Sequence, residues 1–220
     1  MTTIQARLDP FPHVLLEDVY TEYQLPKIWE ELNFLCYPEK LLPPNLTDSA
    51  TDDGGILLKQ NSCVWLDNIY THPNLSNILR ETTTFQKITL RTICKQHPHW
   101  YFKNAKINHT SNLISYYENG GYYGPHYDQA YFTCLTWFYK EPKAFTGGNL
   151  YFPDYDYTVS CDHNKSILFP SPIIHQVIPI EMPEEFANKK LGRFCYSQFF
   201  SLIPVQESVS KDYFNIRYIV

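Results

Sequence analysis

The residues best suited to chemistry in this 220-residue chain are a histidine and an aspartate two positions apart, His126 and Asp128. They follow a glycine-rich turn, Gly120-Gly121, and the residues on both sides of the turn predict strands. Side chains two positions apart in an extended backbone point to the same face, so the imidazole and the carboxylate can enter one cavity. They would form two thirds of a two-histidine, one-carboxylate metal site. The triplet alone is a weak signal, since roughly 0.4 copies arise by chance in a chain of this composition.

His175 is the candidate for the third ligand. It interrupts the otherwise apolar segment 169–180, where the simpler interpretation is a core histidine bonded to a backbone carbonyl. This segment is the seventh of eight predicted strands, whereas His126 and Asp128 lie in the second. In a jelly roll the second and seventh strands can be neighbours, which favours a metal ligand.

Arg193 begins the last predicted strand, which is rich in aromatic residues. Burying a guanidinium there carries a desolvation cost unless its planar fork meets a carboxylate. Two partners satisfy this requirement, an acidic side chain in a structural salt bridge or a bound dicarboxylic co-substrate.

The elements that must position these residues change in character near Trp100. Residues 1–110 predict a mostly helical support region, with an amphipathic helix from Leu25 to Leu35. Residues 111–203 predict a core of short strands at about ten-residue spacing, and 204–220 form a C-terminal tail. The eight predicted strands are 111–117, 124–128, 131–139, 149–152, 155–160, 166–169, 174–180 and 193–202. The chain is therefore predicted to be one mainly β domain with N-terminal helices (α+β), built on a double-stranded β-helix, or jelly roll.

Composition narrows the function classes. The formal net charge is −5 and no basic block is longer than Lys189-Lys190, so we expect neither a nucleic-acid partner nor a membrane surface. No apolar run approaches 18 residues, and no leader pattern follows Met1. The six cysteines form no C-x-x-C pair, which is typical of buried free thiols in a reducing compartment. These features predict a soluble, cytoplasmic protein; they do not predict its oligomeric state.

The ordered motifs resemble the Fe(II)- and 2-oxoglutarate-dependent oxygenases, and within them the prolyl-4-hydroxylase-like branch. The likeness covers about residues 111–202. The matching positions are, in family order, Tyr117, Gly120-Gly121, His126-Tyr127-Asp128, Gly147-Gly148, His175-Gln176-Val177-Ile178-Pro179-Ile180 and Gly192-Arg193.

The resemblance implies that His126, Asp128 and His175 hold Fe(II), with 2-oxoglutarate and dioxygen as co-substrates and ascorbate in support. It implies that Arg193 pairs with the distal carboxylate of 2-oxoglutarate and that Tyr117 contacts the same molecule. Two positions depart from the family pattern. Cys195 stands where a serine often shares the carboxylate, a role that Tyr196 or Ser197 could take over, and Asn149 stands where an acidic residue is usual.

The implied function is hydroxylation of a peptide or protein side chain, or of a free amino acid or similar small molecule. One alternative is a jelly-roll binding or structural protein with a vestigial metal site. Another is a cupin-like metalloenzyme that does not use 2-oxoglutarate, against which Arg193 argues. Residues expected near the substrate are Tyr122, Tyr123, Gln129 and Trp137. The 38–55 loop is either a lid over the site or disordered.

Overall fold

The computed structural model describes residues 2–37, 40–47, 49–84 and 89–204. All of the predicted tail except Pro204 lies outside the described residues, as do positions 38, 39 and 48 of the 38–55 loop. Within the described ranges, no helix is long and apolar enough to cross a membrane.

The secondary structure consists of many short strands and a few helices. The helices are α1 (Leu25–Leu35), α2 (Leu66–Ile69), α3 (Asn77–Thr84), α4 (Arg91–Gln96) and α5 (Trp100–Lys103). Strands of the first half are β1 (Thr3–Arg7), β2 (His13–Glu17), β3 (Lys59–Gln60), β4 (Ser62–Trp65), β5 (His109–Tyr117), β6 (Tyr122–His126) and β7 (Phe132–Phe138). Strands of the second half are β8 (Thr146–Gly147), β9 (Leu150–Phe152), β10 (Tyr157–Val159), β11 (Lys165–Pro170), β12 (His175–Val177), β13 (Ile180–Glu181) and β14 (Arg193–Ser201).

The strands form two main antiparallel sheets. The large sheet has the order β1-β2-β11-β7-β14-β5-β4, the small sheet has the order β10-β9-β12-β6-β3, and β13 pairs with β8. One hydrophobic cluster joins residues from both main sheets, including Trp137 and Phe169 from the large sheet and Leu150 and Phe152 from the small one. The predicted mainly β jelly roll is therefore confirmed, with its core between two sheets.

Helices cover the outer face of the large sheet, and this explains why β14 is buried along nearly its whole length. Alternate side chains point to opposite faces of a strand. Phe194 and Tyr196 pack outward into the cluster that contains Ile28 and Leu32 of α1, whereas Cys195 packs inward. The predicted helix is present as α1, and its stripe of apolar residues is the surface that meets the sheet.

Residues before 110 contribute strands as well as helices. β1, β2 and β4 extend the large sheet, and β3 is an edge strand of the small sheet. The predicted division of the chain into support region, core and tail stays a prediction.

Candidate metal centre

Two neighbouring strands of the small sheet bring the predicted histidines together. β12 pairs with β6 in antiparallel register, with His175 directly opposite His126. Residues in that position have Cβ atoms about 5 Å apart, and the two imidazole centroids lie 4.4 Å apart. Asp128 follows β6, where its backbone N–H donates to the carbonyl of Ser171 at 3.0 Å. Backbone pairing thus gathers three side chains that are up to 49 residues apart in sequence.

The three groups face one another through the atoms that bind metals. His126 Nε2 lies 3.9 Å from Asp128 Oδ1, and His175 Nε2 lies 3.5 Å from Asp128 Oδ2. One ligand atom from each residue falls within 4.8 Å of the others. Two imidazole nitrogens and a carboxylate oxygen form the donor set of a facial iron site.

Backbone carbonyls fix the tautomer of both histidines. His126 Nδ1 lies 2.8 Å from the carbonyl oxygen of Gly124, and His175 Nδ1 lies 2.9 Å from that of Ile173. A carbonyl oxygen only accepts, so each Nδ1 carries the proton and donates it. Each Nε2 is therefore the unprotonated nitrogen that a metal ion requires.

Burial keeps both imidazoles neutral. It lowers the pKa of His175 to about 4, and burial together with the neighbouring His175 lowers the pKa of His126 to about 4. The pKa of Asp128 is raised, again chiefly by burial, because a carboxylate in a low-dielectric site loses hydration. A divalent cation would offset the lost hydration of the Asp128 carboxylate, and both unprotonated Nε2 atoms could bind it. The residues present therefore fit a bound metal.

Two hydroxyl side chains orient the carboxylate of Asp128. Thr133 Oγ1 donates to Asp128 Oδ2 at 2.6 Å, and Thr133 in turn shares a hydrogen bond of 2.8 Å with Ser171. Partners of this kind hold ligands in place and tune their basicity. Sequence reasoning missed both residues, since Thr133 on β7 and Ser171 just after β11 carry no motif.

Tyr123 supports the metal centre from the side. Its ring stacks on the ring of His126 with centroids 3.6 Å apart and an interplanar angle of 12°. Its hydroxyl accepts a hydrogen bond of 3.1 Å from the backbone N–H of Ala50. Ala50 belongs to the 38–55 loop, in which Thr51 forms a β-bridge with Leu57, just beyond the loop. Tyr123 thus joins a candidate metal ligand to that loop.

Replacing Tyr123 with alanine is expected to weaken Fe(II) binding by about 10-fold, because removing a group that orients a ligating histidine typically costs 10–100-fold. Tyr123→Phe is the matched control, since it keeps the ring stack and loses only the acceptor for Ala50. Anaerobic titration with Fe(II) measures both. An alanine variant with wild-type metal affinity would contradict the supporting role.

Arg193 lies fully buried in the same cavity. Its Nη1 donates to the carbonyl of Gly148 and to Cys161 Sγ at 3.1 Å. Its guanidinium carbon lies 4.3 Å from the centroid of the Tyr117 ring. Nε and Nη2 have no hydrogen-bond partner among the described residues. A buried guanidinium with two unused nitrogens fits a carboxylate from a ligand.

Close backbone approaches hold this arginine in place. Arg193 lies opposite Tyr117 in the β14–β5 register. The preceding Gly192 passes so near that a Cβ there would lie 2.1 Å from the Tyr117 carbonyl oxygen. Gly148, whose carbonyl accepts from Arg193, has a φ of +69°, which favours glycine. Gly192 and the Gly147-Gly148 turn therefore both lie against Arg193.

Two cavities meet at the candidate ligands. The inner cavity has a volume of about 50 Å³, and the outer groove has a volume of about 540 Å³. The inner cavity is lined by Leu113, Ser115, Tyr117, Tyr123, His126, Asp128, Leu135, Trp137, Leu150, His175, Val177, Arg193, Cys195, Ser197 and Phe199. The outer groove is lined by Ser49, Ala50, Lys59, Asn61, Cys63, Trp65, Ser111, Leu113, Ser115, Tyr123, His126, Tyr127, Asp128, Gln129, Phe199 and Ser201.

The four residues expected near the substrate divide between these spaces. Tyr123 lines both cavities, Gln129 lines the outer groove, and Trp137 lines the inner cavity beside Arg193. Tyr122 lines neither, because neighbouring side chains of β6 point to opposite faces. The substrate roles of all four stay predictions.

The replacements considered for the missing serine also separate by strand face. Cys195 and Ser197 line the inner cavity, with their Sγ and Oγ atoms 3.7 Å apart. Tyr196 points to the opposite face, where its hydroxyl donates to Asn112 at 2.7 Å. Of the two hydroxyl candidates, Ser197 is therefore the one that lies on the same face of β14 as Arg193. Asn149 accepts from the backbone N–H of Cys161 through its Oδ1 at 3.3 Å.

Comparisons with known proteins agree with this architecture. No family model and no curated protein matches the sequence. A Pseudomonas putida prolyl-4-hydroxylase superimposes with a TM-score of 0.61 at 13% identity, over 87% of this chain and 93% of that one. The 2-oxoglutarate complex of a viral collagen prolyl hydroxylase from Paramecium Bursaria Chlorella virus-1 gives 0.55 at 12%, over 86% and 96%.

A 2OG-Fe(II) oxygenase family oxidoreductase from Burkholderia pseudomallei gives a TM-score of 0.55 at 13% identity, over 86% of this chain and 84% of that one. Identities this low establish the fold alone. The predicted resemblance is confirmed at that level: the chain has the jelly-roll fold of the prolyl-4-hydroxylase-like 2-oxoglutarate oxygenases.

Proposed function

We propose that this chain is an Fe(II)- and 2-oxoglutarate-dependent dioxygenase. Its reaction would hydroxylate a peptide or protein side chain, or a free amino-acid-like small molecule, and release succinate and carbon dioxide. One observation carries the proposal. A triad of His126, Asp128 and His175, with both imidazoles neutral, shares a cavity with Arg193, whose guanidinium has no carboxylate partner among the described residues.

His126 and His175 would hold Fe(II) through their unprotonated Nε2 atoms, and Asp128 would hold it through a carboxylate oxygen. The bound iron and 2-oxoglutarate together supply oxidative decarboxylation by dioxygen, which places one oxygen atom in succinate and the other in a substrate C–H bond. Ascorbate would keep the iron reduced. The protein's contribution is a fixed donor set and a largely buried inner cavity.

Arg193 would take the distal carboxylate of 2-oxoglutarate through Nε and Nη2, with Tyr117 packed against its other side. The cavity between this site and the triad is lined largely by apolar side chains such as Leu135, Trp137 and Val177. Such walls exclude water and strengthen the charge-assisted hydrogen bonds made inside them.

A jelly-roll binding protein with a vestigial site fits these contacts less well. A buried guanidinium with two unsatisfied nitrogens costs free energy in every protein that keeps it without a ligand. A metalloenzyme that does not use 2-oxoglutarate would carry the same cost. Arg193 therefore favours a carboxylate co-substrate over both alternatives.

The test is succinate formation by the purified chain. With Fe(II), ascorbate, 2-oxoglutarate and air, we expect slow turnover even without the true substrate, because decarboxylation can run uncoupled from hydroxylation. Succinate is measured by mass spectrometry, and samples lacking iron or oxygen serve as blanks. Equal succinate with and without Fe(II) would refute the proposal.

A further inference from the structure

The outer groove carries an aromatic surface that the reaction chemistry does not require. Trp65 and Phe199 line this groove with ring centroids 5.7 Å apart, and both are half-buried. Phe199 lines both cavities, whereas Trp65 lines the groove and not the inner cavity. Apolar surface left accessible inside a concave site is typical of a ligand contact.

Strand register places this pair just outside the metal centre. Moving outward from Arg193 and Tyr117 along the large sheet, the next row of paired residues is Cys195, Ser115 and Cys63, and the row after it is Ser197, Leu113 and Trp65. Phe199 follows on β14. The first row has small side chains, which leave space facing the candidate ligands. The aromatic pair then bounds that space on the groove side.

The groove carries few charges. Among its described lining residues, the ionisable side chains apart from tyrosine and cysteine are His126, Asp128 and Lys59, and the first two are candidate metal ligands. Lys59 lies with its Nζ 5.6 Å from the Tyr123 ring centroid and 3.8 Å from Cys63 Sγ. Hydroxyl and amide groups supply the remaining polar contacts: Ser49, Asn61, Ser111, Ser115, Gln129 and Ser201.

This lining discriminates between the two substrate classes. A free amino acid presents an ammonium and a carboxylate together, and the described groove offers no pair of uncommitted charges to receive them. The backbone of a peptide is uncharged and needs donors and acceptors such as the side chains of Gln129 and Ser201. A volume of about 540 Å³ also exceeds what one residue needs beside the metal centre.

On the basis of the proposed function, we infer that the outer groove binds an uncharged peptide segment. An apolar side chain of this segment seats on Trp65 and Phe199, beside the residue that is presented to the metal centre. Trp65 and Phe199 are then specificity-determining residues.

The test uses a positional-scanning library of acetylated, amidated nonapeptides with Fe(II), 2-oxoglutarate and air. Products are detected as a mass gain of about 16 Da, the mass of one oxygen atom added by this reaction. We expect aromatic or branched aliphatic residues to be preferred at one fixed offset from the oxidised residue, about 10-fold over glycine or aspartate, as expected for filling an apolar pocket.

Two variants test whether Trp65 determines the residue preferred at this offset. Trp65→Ala should raise KM for the best peptide about 10-fold and leave peptide-independent succinate formation within about twofold, since Trp65 does not line the inner cavity. Trp65→Lys should shift the preferred residue at the same offset towards aspartate and glutamate. Trp100→Ala is the matched control, because Trp100 is exposed on α5.

The following outcomes would contradict the inference or the proposed function. Wild-type protein that forms succinate but oxidises free amino acids and no peptide overturns the inference, and so does a preference for charged residues at that offset. An unchanged preference in both Trp65 variants removes the aromatic subsite. Absence of iron-dependent succinate in every sample instead refutes the proposed function, which keeps the two failures distinct.

Discussion

Asp128→Ala and His175→Ala are each expected to abolish iron-dependent succinate formation and to weaken Fe(II) binding by more than about 100-fold. Partners that only orient a metal ligand are already worth 10–100-fold, and these variants remove a proposed ligand itself. Anaerobic Fe(II) titration and succinate analysis measure the two effects. His72→Ala is the matched control, because His72 is an exposed histidine remote from the cavity lining.

Loss of folding would not explain this result for Asp128→Ala. Burial raises the pKa of Asp128 in the folded protein. At pH values above the ordinary pKa of an aspartate, the ionised carboxylate therefore destabilises the metal-free fold. Removing the carboxylate should therefore leave the thermal unfolding midpoint of the metal-free protein unchanged or slightly higher. Succinate formation that survives in either variant would refute the assigned triad.

Arg193→Met is expected to weaken the binding of 2-oxoglutarate without weakening the binding of Fe(II). Methionine fills the buried space without charge, so Fe(II) affinity should stay close to that of the wild type. The affinity for 2-oxoglutarate should fall about 100-fold or more, since hydrogen bonds to charged groups contribute about 1.5–3 kcal/mol each and two nitrogens await a partner. The 2-oxoglutarate affinity of Arg193→Lys should lie between those of the wild type and Arg193→Met, because an ammonium keeps the charge but lacks the planar fork.

Thermal unfolding of the iron-loaded protein without oxygen gives the measurement. At a 2-oxoglutarate concentration 100 times its dissociation constant, the wild type should gain about 2.7 kcal/mol, whereas a variant that binds 100-fold more weakly should gain about 0.4 kcal/mol. Arg80→Met controls for the loss of an arginine, since Arg80 lies on the surface of α3. Equal stabilisation of wild type and Arg193→Met would remove Arg193 from the co-substrate site.

Local periodicity explains why much of the site could be predicted. The two-residue spacing of His126 and Asp128 places both on one face of an extended chain. The apolar segment around His175 and the aromatic strand after Arg193 indicated burial, and a buried polar group needs a partner. The apolar stripe of α1 likewise indicated a helix with one buried face.

Side-chain direction limited the predictions made from proximity alone. Tyr122 and Tyr123 looked equivalent in the sequence, yet their side chains point to opposite faces of β6, and Tyr123 reaches His126. Tyr196 and Ser197 differ in the same way on β14. The register of each strand, set by pairing with distant segments, decides which neighbour enters the cavity.

The sequence by itself determined the donor types, their order and the two-residue spacing that places His126 and Asp128 on one face of a strand, because these follow directly from residue identity and position. Only the tertiary structure decided the rest. It showed the backbone carbonyls that hold the proton on each Nδ1, the hydrogen bond from Thr133 to Asp128, the two nitrogens of Arg193 without a partner among the described residues, and the aromatic surface of Trp65 and Phe199. The contacts of Arg193 and the pairing of Trp65 with Phe199 depend on strands that lie far apart in sequence and meet through sheet pairing and packing. The carbonyls and Thr133 lie within five residues of the side chains they contact, and the folded backbone conformation brings them there. Hydrogen-bond partners and burial are properties of that assembled surrounding, so the chemistry of the site is fixed only when the two sheets close over it.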